Sequence, residues 1–120
     1  INMRKLASLK SNHENAERVM LYRMETGETC AFLYKSKNDD FAYTDEWYES
    51  LSDAEESYLN RINSEWIVIA DPLPYCQHDA ILPIRVKGRN KEPPQPQWGE
   101  YEILIKGEWK EYIPQIRSNL

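Results

Sequence analysis

A single stretch of this chain carries an apolar period of helical type, and one helix among several strand-like runs restricts the fold to a narrow class. Ser52, Asp53, Ala54 and Glu55 read as a capping box, in which the serine oxygen and the glutamate carboxylate satisfy backbone donors at a helix start. The spacing predicts a helix over roughly Asp53 to Asn63, with Ala54, Tyr58, Leu59 and Ile62 as its apolar stripe. Glu55, Glu56, Asn60 and Arg61 fall on the opposite, wetted side.

Around that helix the pattern is of strands. Arg18 to Met24, "RVMLYRM", alternates, and Thr29 to Tyr34, "TCAFLY", is rich in strand-forming residues. The intervening "ETGE" offers Gly27 for the positive φ of a tight turn, so Arg18 to Lys35 reads as a hairpin. Arg4 to Lys10 fits either a further strand or a short helix. Glu65 to Ala70, "EWIVIA", is a continuous apolar run of the kind a buried strand shows, closed by the breaker "DPLP". Ile81 to Lys87 reads as a strand in which Pro83 implies an edge or a bulge. Tyr101 to Lys106 and Glu108 to Ile113 flank Gly107 as a second hairpin. Strands, one helix, then strands, without βαβ alternation, give a single α+β domain. Its sheet is mainly antiparallel, with about five strands, two hairpins and one packed helix.

A chain of 120 residues supports one hydrophobic core, and 41% hydrophobic residues place it above the disordered range. No apolar run approaches the roughly 20 residues of a membrane span. The opening "INMRKLASLKS" lacks the apolar core of a secretory signal, and Cys30 and Cys76 have no framework spacing, so a cytoplasmic, soluble protein is expected.

Charge is the strongest functional signal. Asp39 to Glu56 holds eight acidic residues and no basic one, while the rest of the chain holds twelve acidic and fifteen basic residues. The net charge of −5 therefore hides a polarised chain. Phe41, Tyr43, Trp47 and Tyr48 interleave with the acids, a mixture suited to a basic partner because charge speeds encounter and aromatic area slows release. Asp53, Glu55 and Glu56 are accounted for by the helix dipole. Asp39, Asp40, Asp45, Glu46, Trp47, Tyr48 and Glu49 are the expected partner-binding residues, and the alternative for the segment is a solvated acidic loop whose aromatics point into the core. The segment lacks the spacing of a calcium loop.

Arg85, Lys87 and Arg89 alternate and share one face of a strand, with Lys91 beyond Gly88 as a doubtful fourth member. Such a row fits successive phosphates of a nucleic acid, or the solvated face of an antiparallel strand. In "DPLPYCQHDAILP", Asp71 to Pro83, Cys76, His78 and Asp79 are ligand types without the four-ligand spacing of structural zinc, and His13 stands far off in sequence. Asp71, Pro72 and Pro74 explain the segment as a turn. Pro93 and Pro96 make a Pro-x-x-Pro whose basic flank is replaced by Asn90, so "KEPPQPQW" reads as a stiff linker. The scattered glycines make no phosphate loop, and no Gly-x-Ser-x-Gly occurs. No metal and no cofactor are expected.

From Trp66, "WIVIADPLP" resembles the Trp-Ile-x-Val-x-Asp-x-Leu-Pro opening of a small domain of phages and prophages, itself of unknown function. "ILPIRVKG" and "GEW" come after it in compatible order, while the closing His-Trp-Met-Pro of that domain is missing. The resemblance implies a mobile-element accessory protein and supplies no active site.

The expectation is a non-enzymatic interaction module, a small acidic inhibitor or regulator that binds a basic protein surface. The alternative is a nucleic-acid-binding module using Arg85, Lys87 and Arg89, and an enzyme stands third. Homodimerisation through a hairpin edge stays open, and no membrane partner is expected.

Overall fold

The computed structural model describes residues 3–10 and 15–116, so His13 lies outside the described residues. Among them the chain forms one helix and eight strands in two antiparallel sheets. Met3–Ser8 (β1), Arg18–Arg23 (β2), Thr29–Tyr34 (β3), Thr44–Tyr48 (β4) and Ile67–Ile69 (β5) make a five-stranded sheet in the order β4-β3-β2-β1-β5. Ile84–Val86 (β6), Tyr101–Ile105 (β7) and Glu108–Tyr112 (β8) make a three-stranded sheet in chain order. The α+β class holds, and the strands exceed the expected number because the acidic segment supplies β4 and Arg4 to Lys10 supplies β1.

Both hairpins form where glycine permits them. Gly27 has φ +93° in the β2–β3 turn, and Lys106 and Gly107 at φ +50° and +81° give the β7–β8 turn the two consecutive positive φ values of a type I′ hairpin.

The period of two sorts the large sheet into two faces. Lys5, Ala7, Val19, Leu21, Ala31, Leu33 and Glu46 share one, set by the registers Lys5↔Leu21, Ala7↔Val19, Leu21↔Ala31, Val19↔Leu33 and Ala31↔Glu46. Helix α1, Leu51–Tyr58, covers that face and buries Ala54 and Tyr58 against Val19, Leu21, Ala31 and Leu33. The charged Lys5 in this layer is paired with Glu55 of α1 and lies over the Trp66 ring at 5.0 Å.

The helix is shorter than predicted and begins earlier. Ser50 rather than Ser52 is its N-cap, the Ser50 hydroxyl accepting from the Asp53 amide at 3.1 Å, because β4 ends at Tyr48 and the chain turns at once. After Tyr58 the chain leaves the helix to meet β1. Ile62 bridges Leu9, and the Lys10 amide donates to the Arg61 carbonyl at 2.9 Å. Leu59, assigned to the apolar stripe by spacing, is consequently exposed.

On the opposite face one row of neighbours crosses all five strands: Ile69, Arg4, Tyr22, Cys30 and Trp47. The Asp71–Pro83 segment folds over part of it. Arg4 donates to the carbonyls of Ala70, His78 and Ala80, the Tyr34 hydroxyl donates to the Asp79 carbonyl, and the His78 ring stands 5.1 Å from that of Tyr22. This segment is a layer of the protein as well as a turn.

Two further expectations are corrected. The "EWIVIA" run is a three-residue edge strand, with Ile67 63% and Val68 68% exposed, because no strand lies beyond β5 among the described residues. Ile81 to Lys87 yields only Ile84–Val86, the Pro83 carbonyl extending the pairing by accepting from the Leu104 amide at 3.1 Å. As Pro83 implied, β6 is an edge.

Candidate functional site

The acidic segment divides once its partners are read. Asp39 is buried, and its carboxylate accepts from the Ser36 amide at 3.3 Å while its carbonyl accepts from Arg18 Nη2 at 3.0 Å. Asp40 ties the two sheets together. Its carboxylate accepts from the Tyr112 hydroxyl at 2.7 Å and the Gln115 amide at 2.6 Å, and its amide donates to the Gln115 carbonyl at 2.8 Å. Glu46 points beneath α1 and accepts from the hydroxyls of Tyr58 and of Tyr48, the latter at 3.2 Å. Tyr48 is half-buried and shares a 2.9 Å hydrogen bond with the Ser57 hydroxyl. These four residues bind the protein to itself.

Asp45, Trp47 and Glu49 remain at the surface, Asp45 with one inward contact, accepting from the Cys30 thiol at 3.7 Å. A period of two places them on the face away from α1, and Trp47 is 59% exposed, unusual for so large an apolar side chain. Asp45 and Trp47 lie on β4, with Glu49 just past its end, and β4 pairs with β3 alone and leaves its outer edge without a strand among the described residues. Beside Asp45 a shallow depression of about 260 Å³ is lined by Phe32, Ala42, Tyr43 and Asp79 among others. Asp79 is held there by the Ala42 amide at 2.8 Å, and burial pushes its carboxyl above the ordinary aspartate range.

Two members of the basic row are paired with carboxylates of the small sheet. Arg85 pairs with Glu102 at 3.1 Å and stacks on the Trp109 ring at 3.7 Å. Lys87 pairs with Glu111 at 2.9 Å. Arg89 donates to the Gln77 side chain at 3.0 Å, and Lys91 lies beyond Gly88 in the adjoining loop. A phosphate reaching Arg85 or Lys87 would have to displace these carboxylates, while Arg89 is held by neutral oxygens alone.

Cys76, His78 and Asp79 each have different partners. Cys76 is buried and bridges Arg85, while His78 stacks on Tyr22. Burial pushes the Cys76 thiol up, and burial followed by the charges of Arg89 and Arg4 pulls the His78 imidazole down. Among the described residues no group of three or more His, Cys, Asp or Glu side chains could hold a metal ion. No helix there is long and apolar enough to cross a membrane.

Sequence reasoning missed two residues that organise the sheet's second face. Arg4 and Tyr34 anchor the Asp71–Pro83 layer, and the signal for Arg4 was its place two residues from Leu6, on one face of a strand. No protein-family model matches the chain, and neither the curated proteins nor the solved structures contain a match. The resemblance at Trp66 to Pro74 therefore carries no functional assignment.

Proposed function

We propose that this chain is an interaction protein, an acidic inhibitor or regulator, that receives an extended basic segment of a partner protein along the edge of β4. The observation that carries the reading is Trp47, more than half exposed between Asp45 and Glu49, on a strand whose outer edge has no partner strand among the described residues. An exposed edge accepts a further strand through main-chain hydrogen bonds, while alternate side chains supply selectivity. A second copy of β4 would set acid against acid, so the edge discriminates against self-pairing; Lys or Arg at alternate positions of the incoming segment would be attracted instead. Trp47 would supply the apolar anchor, the role in which tryptophan is enriched at interfaces.

The test is capture of partners from a lysate of the source organism, with nuclease treatment, on the immobilised protein and on Asp45→Lys/Trp47→Ala. A stoichiometric protein retained by the first and lost from the second supports the reading. Equal retention on both, or a partner released by nuclease, contradicts it.

A further inference from the structure

The Asp71–Pro83 layer leaves a cavity of about 260 Å³ between itself and the β1–β5 end of the sheet. Pro72, Leu73, Ile81, Leu82 and Pro83 give it apolar walls, and Arg4 lines it as well. Arg4 is 3% exposed and forms no ion pair with a carboxylate among the described residues. Its Nε donates to Ala70 O at 2.8 Å, and its Nη1 donates to His78 O at 3.0 Å and Ala80 O at 2.6 Å. Those bonds use three of the five guanidinium donors, and the two on Nη2 meet no acceptor among the described residues. Asp71 and Asp79 act on it through charge without hydrogen-bonding to it, so the guanidinium keeps donors for a carboxylate brought into the cavity.

We infer that this cavity binds a small carboxylate with a branched apolar body, its carboxylate received by Arg4. The planar guanidinium matches a carboxylate in geometry, and the walls match an aliphatic tail. At about 30 Å³ for each water-sized unit, the volume admits an acid of roughly eight non-hydrogen atoms, the size of 4-methylpentanoate. Asp71, exposed at the rim and close enough to act on Arg4, would meet the ammonium group of an α-amino acid such as leucine. The site is independent of the β4 edge, since Arg4 and Trp47 stand three strands apart in one row, about 14 Å at the usual interstrand spacing.

Calorimetry and amide chemical-shift mapping on the whole chain test it with 4-methylpentanoate, leucine, leucinamide and 4-methylpentanol. The expected result is binding of the acid or of leucine, with shifts at Arg4 and Ala70 to Pro83, and at least tenfold weaker binding of the two compounds without a carboxylate. Tighter binding of leucine than of 4-methylpentanoate identifies an amino acid as the ligand; the reverse identifies a simple acid. Replacing Arg4 would free three carbonyls and endanger the fold, so the variants are at the half-exposed wall: Leu73→Glu weakens the acid at least tenfold and Leu82→Trp abolishes binding, each with unfolding temperature checked. Failure of both carboxylates to bind, equal binding of 4-methylpentanol, or affinity unchanged in both wall variants overturns the inference.

Discussion

Replacing Asp40 should cost far more stability than replacing Asp45, although the two belong to one acidic segment. Asp40 accepts from the Tyr112 hydroxyl and the Gln115 amide, at 2.7 and 2.6 Å. Hydrogen bonds to a charged group contribute about 1.5 to 3 kcal/mol each, and the half-buried position favours the lower end. Asp40→Ala should therefore lose about 3 kcal/mol, or roughly 12 °C in unfolding temperature at about 4 °C per kcal/mol for a chain of this size. Asp45→Ala should stay within about 0.5 kcal/mol, as a surface change does. Urea unfolding of both variants measures the difference, and a double-mutant cycle of Asp40→Asn with Tyr112→Phe should give a coupling of about 1 kcal/mol. The Tyr112 hydroxyl, pushed up to about 12 first by its bond to Asp40, should titrate nearer its ordinary 10.0 in Asp40→Asn. Equal costs for Asp40→Ala and Asp45→Ala would refute the division of the acids into structural and surface groups.

Other outcomes rest on single contacts. Gly88→Ala should destabilise by about 3 kcal/mol and Gly99→Ala by about 1. Both have positive φ, but a Cβ at Gly88 would lie 2.1 Å from the Gln95 carbonyl oxygen, whereas at Gly99 it meets open space; equal melting temperatures would contradict this. Glu46→Ala should cost about 2 to 3 kcal/mol by leaving the buried Tyr58 hydroxyl without its acceptor, and Glu46→Gln should restore most of it in the same urea assay. Burial, then the charge of Asp45, pushes the Cys30 thiol from 9.0 to about 12. The native state thus keeps a proton that the unfolded chain loses above pH 9. Stability should be whole below that pH and fall by about 1.4 kcal/mol per unit above it, less steeply in Cys30→Ala. Urea midpoints at pH 8, 9 and 10 measure it, and a slope unchanged in the variant would contradict the assignment.

The parts of this fold legible in the sequence are those fixed by local chemistry. The two hairpins come from alternation around Gly27 and Gly107, and the α+β class from one helical period among strands. What escaped was decided by distant segments. Asp39 to Glu49 looks like a solvated loop because β4 carries few apolar residues, and its pairing comes from β3. "EWIVIA" looks buried because it is apolar, yet burial depends on what lies beyond it. Helix α1 ends at Tyr58 because the next residues pair with the end of β1, an interaction that the spacing of Leu59 and Ile62 does not encode. The candidate site was legible as a region and blurred in detail: charge located the acids, and partners 2 to 75 residues away selected among them.

Amide hydrogen exchange across the whole chain, measured with and without the captured partner, tests the β4 edge most directly. Slowed exchange confined to Tyr43 to Glu49, with β5 and the Arg85 to Arg89 row unchanged, is the predicted result. Slowing at either of those with β4 unaltered would contradict it.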